Sequence, residues 1–180
     1  METQQTSGTP YPNLPPIIES DDREYRDSGV PSTVAIAGHP LHPLSVIFPI
    51  AFLAAALGSD FGYWLTRDPF WARASLWLVG LGLAGGVLAA LIGMSDFLRI
   101  ERVRKRTAGW AHMYLNIAIL VLTSVNLILR LRNPVEAILP WGLIISTIVG
   151  TLTSLSGWYG AELSYRHKIG VVGSGSRYEP

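Results

Sequence analysis

The chain contains no cysteine. Disulfides, thiolate metal centres, cysteine-held iron–sulfur clusters and cysteine nucleophiles are therefore excluded. Charge is scarce as well: Asp, Glu, Lys and Arg make up 15% of the 180 residues, against ~25% in a typical soluble domain. What charge there is clusters. Six of the thirteen acidic residues fall in the first 27 positions, and five of the fourteen basic ones lie between Arg99 and Arg106. A net charge of +1, with no basic stripe outside the membrane loops, argues against nucleic acid as a partner. Hydrophobic residues reach 49% and the mean hydropathy is +0.31. Uncharged stretches match the ~20 residues that a helix needs to cross a bilayer, so a soluble globular enzyme is excluded.

Residues 1–37 are polar and carry Pro10, Pro12, Pro15, Pro16 and Pro31. They offer too little apolar surface to offset the entropy of ordering, which predicts a disordered tail; residues 173–180 are expected to be a second, flexible tail. The start lacks the basic region and short apolar core of a secretory signal, so the first hydrophobic segment is expected to remain as a span. A four-transmembrane-helix domain is predicted over 38–172, with spans at about 44–65, 74–98, 110–129 and 138–161. Tyr63, Trp64, Trp71, Trp110, Trp141, Trp158 and Tyr159 sit near the span ends, where amphipathic rings favour the interface. Lipid leaves unpaired backbone groups unsatisfied and no barrel alternation is present, so the spans must be helices. Short connections then give an all-α, up-down four-helix bundle. The tail, the 99–109 loop and the C-terminal end together carry ten Lys and Arg, against four in the two opposite loops. Positive charge is retained on the cytoplasmic side, which predicts a multi-pass protein with both termini in the cytoplasm.

Small and polar residues mark the inward faces of membrane helices. At 100° per residue, His112, Asn116, Thr123, Asn126 and Arg130 fall on one side of the third helix. His42 and Asp60 are eighteen residues apart on the first, five full turns, and share a face. Gly82, Gly85, Ala89, Gly93 and Asp96 line the second, for close helix approach or for a flat cofactor. Thr147, Thr151, Trp158, Glu162 and Arg166 form a stripe on the fourth. Asp60, about a turn inside the interface, is expected to pair with Arg67, Arg73 or Arg130. Pro49 should kink the first span, and Pro40 and Pro43 should hold His39 and His42 extended.

All four histidines lie toward the predicted cytoplasmic side, together with Asp96 and Glu162. Three readings stay open. His42 and His112, with His39 and Asn116 beside them, bind one b-type haem through both axial positions. Alternatively, His42, His112, Asp96, Glu162 and His167 bind a divalent metal. In the third, the carboxylates pair with arginines and histidines and lock the helix ends, Glu162 standing four residues before Arg166. No ligand motif such as His-Glu-x-x-His is present. No second histidine pair exists at the other end, so one haem and not two is supported.

Gly38-His39-Pro40-Leu41-His42-Pro43, Gly93-Met94-Ser95-Asp96, His112 with Asn116, and the segment from Gly157 to Val171 resemble one known family. It is the domain-of-unknown-function 2231 family of predicted bacterial four-helix membrane proteins, and the resemblance covers about 38–172. It implies a location in the bacterial inner membrane and a plan similar to small b-type cytochromes, some relatives being joined to redox modules. The resemblance raises the haem reading to level with the cofactor-free one, and the leading expectation is a redox-linked membrane subunit with no catalytic residue of its own. His42 and His112 would hold the haem, with Asp96, Asn116 and Glu162 orienting them. Its partners would be the bilayer and a membrane or redox subunit. The alternative is a cofactor-free structural or partner-binding subunit, or a divalent-metal-binding protein. A transporter is the third reading, a homo-oligomer then supplying further spans. Relatives tend to have two glycines before the glutamate, whereas this chain has Ala161.

Overall fold

A computed structural model describes residues 29–171. The expected tails at 1–28 and 173–180 lie outside the described residues. Four helices are long and apolar enough to cross a membrane: Leu41–Thr66, Pro69–Arg99, Thr107–Arg132 and Ile138–Arg166. Their ends reach past the apolar runs because local backbone chemistry sets them. The first stops at Arg67, in the left-handed conformation that closes a helix. The second starts where the Asp68 carboxylate accepts the Phe70 N–H at 2.8 Å, with Pro69 in the first position. The fourth opens at a kink, where Leu139 is extended ahead of Pro140, and ends in a wider turn, Glu162–Arg166.

The prolines act in two ways. His39 is extended, in a strand pair of Ala35–Ile36 with His39–Pro40. Its turn needs positive φ at Ala37 and at Gly38, where glycine meets the demand without strain. His42 is not extended, contrary to expectation. It lies in the short helix Leu41–Ser45, since Pro43 falls in the first turn, where an N–H has no helical partner to lose. Pro49 cannot bond the Ser45 carbonyl, so one helical bond is missing there, while Val46 keeps helical angles and its bonds to His42 and Ile50.

Residues 29–37, expected to belong to a disordered tail, are instead ordered against the helix ends. Val30 N–H donates to the Lys168 carbonyl at 2.9 Å, and Gly170 N–H donates back to Val30 at 2.8 Å. The Asp96 carboxylate holds Ser32 and Thr33. Polar composition alone does not see these anchors.

The first helix packs on the second, the second on the third, the third on the fourth and the fourth on the first. The first and third therefore stand diagonally across the bundle. Leu53, Ile119 and Val149 fill its middle. Large apolar side chains such as Trp77, Leu91, Val121 and Leu131 point outward, as lipid allows. The glycine face of the second helix is filled by the first. A Cβ at Gly82, Gly85 or Gly93 would approach Leu53, Pro49 and His42 to 2.7, 3.3 and 2.5 Å. Close approach is thus the use made of these glycines.

The fourth helix corrects the expected stripe. Thr147, Thr151 and Trp158 face outward, while Ser146, Val149, Ser156 and Leu163 are buried. The threonine hydroxyls donate to the carbonyls of Leu143 and Thr147, one turn back. A hydroxyl satisfied within its own helix is under no compulsion to face inward.

Two polar layers cap the apolar middle, each built by the diagonal pair. Asp60 and Arg130 form one and His42 and His112 the other. Both separations are eighteen residues, about 27 Å along a helix, close to the ~30 Å of the hydrocarbon core.

Candidate functional site

At the end of the bundle that carries the basic loop, His42 and His112 reach across the axis. Their ring centres are 6.1 Å apart, with planes at 89°. Each imidazole is held by the helix that follows its own in sequence. Nδ1 of His42 lies 3.0 Å from the Ala89 carbonyl of the second helix, and Nδ1 of His112 lies 2.9 Å from the Ser156 carbonyl of the fourth. A carbonyl only accepts, so each Nδ1 carries the hydrogen and each neutral ring keeps its Nε2 lone pair. Four residues beyond each carbonyl stands a glycine against the ring. A Cβ on Gly93 would meet His42 Cε1 at 2.5 Å, and one on Gly160 would meet His112 Cε1 at 3.1 Å. The two helical hairpins thus repeat one device: histidine on the first helix, carbonyl and glycine on the second.

Asn116 braces the His112 half. Its Nδ2 donates to the Ser156 hydroxyl at 2.7 Å and to the His112 carbonyl at 2.8 Å, and that hydroxyl is 3.1 Å from His112 Nδ1. The other expected site residues do not join the pair. His39 is exposed, its Nδ1 3.0 Å from the Ala37 carbonyl. Asp96 is turned to Ser32 and Thr33. Glu162 lies 3.9 Å from both Arg166 and His167. Burial lowers the pKa of His167, Arg106 adding to the effect and Glu162 opposing it. Among the described residues, no three His, Asp or Glu side chains come together as a metal-binding group.

This donor set separates the chemistries. A bare divalent ion asks for about four ligands, of which these imidazoles would supply two. A haem brings four nitrogens and asks the protein for two axial ligands. His42 and His112, with ring centres 6.1 Å apart, are the two residues that would hold such a group. Fixing Nδ1 on a carbonyl is the usual way to set the tautomer of a ligating histidine.

The opposite layer carries a saturated ion pair. Asp60 and Arg130 are fully buried. Arg130 Nη1 donates to Asp60 Oδ1 at 2.9 Å and Ser75 Oγ at 2.8 Å; Nη2 donates to Asp60 Oδ2 at 2.7 Å and Ser146 Oγ at 3.1 Å. Nε donates to Asn126 at 2.9 Å, so all five guanidinium N–H groups are used.

Sequence reasoning missed Ser156, Gly160, Ser75 and Ser146 as partners. The shared spacing of Ala89 to Gly93 and Ser156 to Gly160 was the available signal. The model of the domain-of-unknown-function 2231 family, described as a predicted membrane protein, matches residues 38–173. Comparison with curated proteins and with solved structures gives no match.

Proposed function

The chain belongs to that family of membrane proteins, and from this premise we propose that it is a redox-linked membrane subunit binding one b-type haem through His42 and His112. The observation that carries the reading is the pair itself: two imidazoles from diagonal helices, each fixed at Nδ1, 6.1 Å apart at the bundle axis. Bound there, haem would supply one-electron transfer near one membrane face. The residues of the chain orient the imidazoles through Ala89, Ser156 and Asn116, and Gly93 and Gly160 leave them room. The distribution of Lys and Arg supports placing this face in the cytoplasm, with both termini on that side of a bacterial inner membrane.

A cofactor-free structural subunit is the second reading. It is favoured by the glycine face, which side chains of the first helix already fill. A dithionite-reduced minus oxidised visible spectrum of protein purified from haem-replete cells decides between them. Sharp α and Soret bands, lost in His112→Ala, are expected. A flat spectrum from folded protein overturns the proposal.

A further inference from the structure

We propose that Asp96 is a positioning residue for His42, acting through the Ser32–Leu41 segment. The inference rests on the haem reading only for its cofactor-loaded readout. Asp96, in the last turn of the second helix, has three donors on its carboxylate. Thr33 N–H and the Thr33 hydroxyl reach Oδ1 at 2.6 and 2.7 Å, and the Ser32 hydroxyl reaches Oδ2 at 2.7 Å. Hydrogen bonds to an ionised carboxylate are the short, strong kind.

From this anchor the chain leads directly to His42. The Val34 carbonyl accepts the Leu41 N–H at 3.0 Å, and the intervening Ala35–Ile36 and His39–Pro40 strands pair with each other. Upstream, Val30 is bonded to Lys168 and Gly170 beyond the fourth helix. The segment is therefore held on both sides of Asp96. His42 is the second residue of a helix that has no side-chain cap. First-turn N–H groups lack helical partners, so what precedes that turn sets where His42 sits. The same turn of the second helix also supplies Gly93 against the His42 ring. One turn, Gly93 to Asp96, thus governs both the ring and the backbone leading into it.

The test compares Asp96→Ala with the milder double variant Ser32→Ala/Thr33→Ala in the full-length protein in detergent. Imidazole nitrogen NMR of the haem-free protein is the first readout. Both variants are expected to shift the His42 Nδ1 resonance and leave His112 in place. With haemin added, affinity should fall about 10- to 100-fold, the usual effect of losing a partner that orients a ligand. Unchanged His42 resonances in both variants, whatever happens to thermal stability, overturn the proposal. So does a shift in Asp96→Ala with none at all in the double variant, because the carboxylate charge alone would then reach His42. If haemin binds to no form of the protein, the haem reading fails and the NMR comparison still decides the role of Asp96.

Discussion

Replacing Asp60 by Asn leaves the Arg130 guanidinium fully buried with its hydroxyl and amide acceptors but without its counter-charge. Arg130 and Asp60 are both 0% exposed, so solvent cannot screen or rescue the orphaned cation. Two of its five hydrogen bonds go to the carboxylate, at 2.9 and 2.7 Å. Bonds involving charged groups contribute about 1.5–3 kcal/mol each, and breaking a buried pair from one side costs about 3–5 kcal/mol in total. Asp60→Asn and Arg130→Gln should therefore each lose about 3–5 kcal/mol. The joint replacement Asp60→Leu/Arg130→Met removes both charges in favour of apolar groups of similar volume, and should lie within about 1–2 kcal/mol of the parent or above it. Unfolding in mixed micelles, followed by tryptophan fluorescence, measures all three. Single losses below about 1 kcal/mol, or a double variant as unstable as the summed singles, would refute the reasoning. The pair would then not be a desolvated, mutually dependent unit.

Gly93→Ala should displace the His42 ring, since the new Cβ would lie 2.5 Å from Cε1; overpacking of this kind costs about 1–3 kcal/mol. Gly160→Ala, at 3.1 Å from His112, should cost less, and thermal melts of the two variants rank them. Ser146→Ala strips an acceptor from both Arg130 and Asn126 and should cost about 1–3 kcal/mol. Thr147→Val beside it, outward-facing and bonded only within its helix, should stay within about 0.5 kcal/mol. His167 has its pKa lowered below 6.5 by burial, so the native state favours the neutral ring. Its contribution is present above that value and is lost as pH falls toward the lowered native pKa. His167→Asn should flatten the loss of stability on acidification, read from melts between about pH 7 and pH 5.

Sequence pattern was enough for the class of structure and much of the inward chemistry. Four apolar runs in a cysteine-free, charge-poor chain leave few alternatives to a helical membrane bundle, because lipid forbids unpaired backbone. The helical period alone put His112, Asn116, Thr123, Asn126 and Arg130 on one side of the third helix, since those residues differ sharply from their apolar neighbours. It failed on the fourth helix. There Thr147, Thr151, Thr153 and Ser154 satisfy themselves on the preceding turn and carry no directional signal, so they mask the two serines that do turn inward.

Partner choice was settled by the fold. Arg67, Arg73 and Arg130 were equivalent candidates for Asp60 until the helix order placed the first and third helices diagonally. Only then does Arg130 meet Asp60, and only then do Ser75 and Ser146 close around them. The same order brings His42 to His112 and leaves His39, Asp96, Glu162 and His167 apart from the pair. A linear sequence states which side chains a helix turns inward through its fixed rotation per residue. Which inward side chains meet depends on the order and depth of helix packing, a property of the assembled bundle.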